Sequence, residues 1–283
     1  MNNLVTRAIA GAVYVTLIVA CILLGIDCFW ILLSAFTVIA FVELQNLFKA
    51  ESRIIPGVRI LDIVVALIVL FAVRCFSVGI HDSVIIHSLV NLAGILFFAV
   101  VLFYIPARIV FAVCDRSDRP LRAVFCSLLS IFYILFPISL LLLAYGLKNG
   151  PEIVLATFIF IWVNDTGAYL SGITLGKHRL CERLSPKKSW EGFFGGFILT
   201  LIAGFITSLI TGIFSHIAWI IYAAFVSVLS TYGDLFESLI KRTFGVKDSG
   251  TLIPGHGGIL DRIDSLLAVA YITVIFAALS NGV

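Results

Sequence analysis

Ser230, Asp234, Glu237 and Lys241 are spaced by four, three and four residues, so a helix through them sets all four side chains on one face. Two carboxylates and a lysine within an apolar run make either a cation site or a salt-bridged packing face, and Glu237 and Lys241 have the i,i+4 order of a favourable ion pair. The stretch Lys247-Asp248-Ser249-Gly250-Thr251-Leu252-Ile253-Pro254-Gly255-His256-Gly257-Gly258 follows, too rich in glycine and proline to be helical. Glycines let backbone N–H groups come close to an anion, as in phosphate-cradling turns. Asp261, Asp264 and Ser265 then open another apolar run on one face of its first turn. Such oxygen ligands suit Mg²⁺, which binds one or two carboxylates together with substrate phosphates. Helix capping explains Asp261 as well, but not a glycine-rich segment with basic residues on both sides.

A second group lies upstream. Asn164-Asp165-Thr166-Gly167-Ala168-Tyr169 places a carboxylate in an otherwise apolar segment, and Ser185-Pro186-Lys187-Lys188-Ser189-Trp190-Glu191-Gly192 is a basic loop. Gly192 and Gly196 have the spacing that lets two helices approach closely. Lys187 and Lys188 suit either solvent or anionic headgroups.

The elements that must carry these residues are membrane helices. Of 283 residues, 61% are hydrophobic and 12% charged, against roughly 45–50% and a quarter in soluble domains. One soluble core cannot hide so much apolar surface, which excludes a free nucleic-acid-binding domain, a disulfide scaffold and a disordered tail. The six cysteines are scattered without metal-ligand spacing. Nine apolar segments, at 8–24, 28–48, 60–74, 84–105, 123–145, 152–173, 193–213, 217–240 and 263–281, each approach the length of a span. The third is the shortest, bounded by Asp62 and Arg74. With a cytoplasmic N-terminus, seventeen of the nineteen Lys and Arg fall on the inner side and only Arg74 and Lys148 outside, as the positive-inside rule requires. The fold expected is therefore all-α and polytopic, with about nine transmembrane helices. Residues 1–150 form an N-terminal region of about five helices. Residues 151–283, where carboxylates enter the spans, form the region expected to carry function, with cytoplasmic loops 174–192 and 241–262 and a third inner loop at 106–122.

Ser238-x-x-Lys241-Arg242-x4-Lys247-Asp248-x-Gly250-x3-Pro254-Gly-His256-Gly-Gly-x-x-Asp261-Arg262-x-Asp264 resembles the signature of the phosphatidate cytidylyltransferase (CDP-diacylglycerol synthase) family. Asp165-Thr-x-Ala-Tyr169 and Ser185-Pro-Lys-Lys-Ser-x-Glu-Gly192 are similar to that family's upstream motifs, in the same order. The resemblance covers roughly residues 150–283.

It implies a reaction in which CTP and phosphatidic acid give CDP-diacylglycerol and pyrophosphate, at the cytoplasmic face of the inner membrane and with Mg²⁺ as cofactor. A second cation, monovalent or divalent, and a homodimer are compatible with it; nucleic acid is not a partner. On this reading Asp234, Asp261 and Asp165 are metal ligands, and Asp234, Lys241, Asp261 and Asp264 carry catalysis. Lys187, Lys188, Ser189, Ser238, Arg242, Lys247, Asp248, His256 and Arg262 bind substrate. Two alternatives belong to other classes. A proton- or cation-coupled transporter also places carboxylates in spans, but needs no glycine-rich basic loop. A CDP-alcohol phosphatidyltransferase resembles an Asp-Gly-x-x-Ala-Arg motif, which does not occur here.

Overall fold

The computed structural model describes residues 3–48, 56–79, 84–115, 120–250 and 257–280. Ten α-helices run in chain order: α1 (Asn3–Leu24), α2 (Ile26–Phe48), α3 (Pro56–Gly79), α4 (Val84–Cys114), α5 (Pro120–Ser130), α6 (Phe136–Tyr145), α7 (Gly150–Leu175), α8 (Trp190–Thr211), α9 (His216–Thr243) and α10 (Leu260–Leu279). A π-helical turn, Ile131–Leu135, joins α5 to α6 in one continuous span. Pro137 has no N–H for the carbonyl four residues back and its ring crowds it, which fits a widened turn at this point.

Among the described residues, eight helices are long and apolar enough to cross a membrane, and Ile9–Leu24 is a shorter apolar one. The chain is a polytopic all-α membrane protein. Its nine helical runs follow the nine apolar segments, with three differences. The third segment is a full helix, Pro56–Gly79, because its charges find partners. Asp62, fully buried, accepts hydrogen bonds from Gln45 (3.0 Å), Tyr104 (2.8 Å) and Ser127 (2.5 Å), while Arg74 pairs with Asp27 at 2.6 Å. The fourth helix runs through Pro106 to Cys114, so much of the expected 106–122 loop is helical. The 174–192 segment contains an antiparallel hairpin, β1 (Arg179–Cys181) with β2 (Ser185–Ser189), in the register Arg179↔Ser189 and Cys181↔Ser185.

The chain divides into two compact units, Met1–Gly146 with Asp248–Asp261, and Leu147–Lys247 with Arg262–Val283. In the first, Tyr145 stacks on Phe29 with ring centroids 4.9 Å apart and donates its hydroxyl to the Ile22 carbonyl at 2.7 Å. In the second, Tyr222 and Phe276 stack at 4.2 Å beside the buried Trp219, and the Tyr222 hydroxyl lies 2.5 Å from Thr157 and 3.0 Å from Thr273. Those bonds tie α7, α9 and α10 together.

Helix α8 shows which solvent the second unit is built for. Its buried face is a stripe of small residues, Gly192, Gly196, Thr200, Gly204 and Ser208, whereas Phe194, Ile198, Ile202, Phe205 and Leu209 point outward. A helix in water does the reverse. In lipid, where burial of large side chains gains little, close backbone approach through small residues drives association. A Cβ added at Gly196 would lie 2.6 Å from the Asn164 carbonyl oxygen, and one at Gly167 would lie 3.0 Å from Gly196 Cα, so α7 and α8 touch backbone to backbone there.

Candidate functional site

That close approach frames an open cavity of about 350 Å³ in the second unit. Asn164, Asp165, Lys187, Lys188, Thr231 and Asp234 supply polar groups to its lining. Asp165 reaches it from the C-terminal half of α7, where Asn164 is buried and accepts a hydrogen bond from Ser227 at 2.5 Å. Lys187 and Lys188 arrive on β2. The hairpin is pinned at its base: Ser189 caps α8 by accepting from the Gly192 N–H (3.1 Å), and the Trp190 N–H donates to the His178 carbonyl (2.9 Å). Glu191 reaches back to accept from the Lys177 and His178 N–H groups, with His178 Nδ1 2.6 Å from its Oε1. The two lysines therefore sit on an ordered strand. Lys187 stays exposed, and Lys188 pairs with Asp234 at 2.5 Å.

Asp234 belongs to a tighter group. One carboxylate oxygen from each of Asp234, Glu237 and Asp264 lies within 4.8 Å of the others. The sequence spacing already puts Asp234 and Glu237 on one face of α9; α10 brings Asp264. Gly233 permits that approach, since a Cβ there would stand 2.8 Å from both the Asp264 carbonyl oxygen and Ala268 Cβ. Asp264 also accepts from the Ser265 N–H (2.6 Å), and the Ser265 hydroxyl donates to the Ser230 carbonyl (3.1 Å). Three ionised carboxylates at such separations repel by about 3 kcal/mol per pair at an effective dielectric of about 20, so a proton or a neighbouring cation must offset their charge. Lys188 supplies part, and Lys241 lies 2.6 Å from the buried Glu237. The all-oxygen donor set fits Mg²⁺ rather than zinc.

In the first unit, Asp261 faces its own loop. Its carboxylate accepts from the Gly258 N–H at 2.7 Å and the Ser249 N–H at 3.1 Å. Of the remaining residues singled out from the sequence, Ser238 lies 3.5 Å from Asp234, while Arg242 donates to the Val246 carbonyl at 3.0 Å. Lys247, Asp248 and Arg262 are exposed. His256 lies outside the described residues, as do Lys49, Arg53, Arg116 and Arg119 of the basic set. Two carboxylates had no assigned role from sequence. Glu237 was visible on the Asp234 face but read as the partner of Lys241. Glu43 on α2 is buried and accepts from Ser249, Ile259 and Leu260.

Residues 5–280 match the cytidylyltransferase family. A protein of Staphylococcus saprophyticus named phosphatidate cytidylyltransferase is 43% identical over 149 residues, covering 52% of this chain and 56% of that protein. One of the same name from Thermotoga maritima is 36% identical over 186 residues, 62% of this chain and 67% of its own length. A Staphylococcus aureus protein, also so named, is 42% identical over 149 residues. The matched stretches thus span between about half and two thirds of these relatives. With the match running nearly from end to end, the chain belongs to the cytidylyltransferase family.

Proposed function

We propose that this protein is a phosphatidate cytidylyltransferase, transferring the cytidylyl group of CTP to phosphatidic acid. The observation that carries the reading is the Asp234–Glu237–Asp264 carboxylate group beside a cavity lined by Lys187, Lys188 and Asp165. A phosphate oxygen of phosphatidic acid attacks the α-phosphorus of CTP. The new P–O bond forms as the bond to the bridging oxygen of the β-phosphate breaks, and pyrophosphate leaves with that electron pair. The monoester phosphate, with a second pKa near ~6, is largely ionised at neutral pH, so no strong general base is needed. What the protein must overcome is repulsion between two polyanions.

Lys187 and Lys188 oppose that repulsion from the hairpin. Asp234 anchors Lys188 and, with Glu237 and Asp264, would hold a magnesium ion; Asp165 lines the same cavity as a further ligand. When bound, Mg²⁺ supplies charge neutralisation on the transferring phosphoryl group. On the signature alone, Asp261 keeps a metal-ligand role, and Lys247, Asp248, His256, Arg262, Ser189, Ser238, Lys241 and Arg242 are assigned to substrate. Catalysis is thereby assigned to residues 151–283. Pyrophosphate release should require CTP and phosphatidic acid together. Release of CMP would instead point to a phosphatidyltransferase, and ion flux without either product to a transporter.

The basic residues support a cytoplasmic site in the inner membrane. Lys148 precedes α7 and Lys187 follows it in the chain, both exposed, and the 26 residues of α7 at about 1.5 Å each exceed the hydrocarbon thickness. In a cysteine-free background, an impermeant thiol reagent applied to intact cells should label Lys148→Cys and spare Lys187→Cys. Labelling of position 187 from outside would put the lysines away from CTP and overturn the orientation.

A further inference from the structure

The glycines of the signature loop suggest a cradle for a substrate anion, yet in the first unit two of them already enclose an anion of the protein's own. Glu43, 6% exposed, lies against Gly250 and Gly258. Its Oε2 accepts from the Ser249 hydroxyl (3.2 Å) and the Leu260 N–H (2.8 Å), and its Oε1 from the Ile259 N–H (3.0 Å). Leu260 is the first residue of α10, so a carboxylate from α2 satisfies an orphan donor there. Ser249 is held twice, its hydroxyl by Glu43 and its N–H by Asp261. Both ends of the loop are therefore fastened on two carboxylates. The glycines are the second, independent sign. A Cβ at Gly250 would stand 2.7 Å from Glu43 Oε1, and one at Gly258 would collide with the same carboxylate.

We infer that Glu43 is a positioning residue for nucleotide binding: it fixes Ser249, Ile259 and Leu260, and with them the directions of Asp248 and Asp261. This rests on the proposed cytidylyltransferase reading. It gives α2, in a region otherwise outside the chemistry, a part in recognising a nucleoside triphosphate. Glu43→Gln keeps the shape but turns an NH₂ group toward backbone and hydroxyl donors, losing at least one charge-assisted bond.

Amide hydrogen exchange in detergent reads the loop without any substrate. In Glu43→Gln, the amides of Ile259 and Leu260, which donate to that carboxylate, should exchange about tenfold faster, with α7 and α8 unchanged. Unchanged exchange at those amides overturns the clamp. In the assay with CTP and phosphatidic acid, KM for CTP should rise about tenfold, with KM for phosphatidic acid and kcat per folded enzyme little altered; Glu43→Asp should recover part of the loss. A fall in kcat alone, tracking the folded fraction, would make Glu43 merely structural and overturn the inference. Gly250→Ala guards against a folding artefact: it should raise KM for CTP in the unaltered protein and add nothing in Glu43→Ala, whereas additive losses count against the contact. If the unaltered protein fails to bind CTP, the proposed function falls and takes the nucleotide role with it, while exchange still decides whether Glu43 orders the loop.

Discussion

Asp234→Asn should lower turnover on the order of a thousandfold while leaving the protein folded and extractable. Asparagine matches aspartate in size and keeps one acceptor oxygen, but it removes the charge that a divalent cation needs and the anchor of Lys188, 2.5 Å away. The effect on stability should be small and can be favourable. The lost ion pair is partly exposed and worth about 0–1 kcal/mol, and the substitution relieves repulsion with Glu237 and Asp264, all within 4.8 Å. Turnover across a range of Mg²⁺ and thermal unfolding in detergent check the two halves separately. Near-normal activity at limiting Mg²⁺ would remove Asp234 from any metal site. A collapse of the unfolding temperature would make its role structural.

The second large effect belongs to Glu237 and Lys241, whose side chains are 1% and 10% exposed and 2.6 Å apart. Lys241→Met leaves a buried carboxylate uncompensated beside two others, a loss of about 3–5 kcal/mol, read as a sharp fall in the unfolding transition. Reversing both charges, Glu237→Lys with Lys241→Glu, restores the pair and should recover much of that stability. Turnover should not return. The reversed pair puts a lysine among the carboxylates and a carboxylate where the signature calls for a cation facing phosphate. Recovery of stability and turnover together, compared as a double-mutant cycle, would confine Lys241 to holding the helix bundle.

Which features were legible follows from how local their causes are. Apolar runs marked all nine helical segments, since hydropathy needs no partner. The third was cut short because Asp62 and Arg74 read as ends; their partners Ser127 and Asp27 lie 65 and 47 residues away. The hairpin had no legible signal: β2 is Ser-Pro-Lys-Lys-Ser, with no alternation, and the bonds at its base come from Ser189 and Glu191. Asp234 and Glu237 were legible as a pair through helical spacing, whereas Asp264 joins them only through the packing of α9 against α10 at Gly233. The loop glycines were read as room for a ligand's anion, and Glu43, more than 200 residues earlier in the chain, takes up that room at Gly250 and Gly258.

Following the α-phosphate of CTP tests the central claim most directly. Purified protein in detergent micelles with phosphatidic acid, Mg²⁺ and CTP labelled at the α-phosphate should move the label into the lipid phase as CDP-diacylglycerol. The same reaction with label at the γ-phosphate should leave it in water as pyrophosphate. Omitting Mg²⁺ or phosphatidic acid should stop both. Label from the α-position that stays in water, as CMP or as unreacted CTP, while the protein is folded would contradict the account.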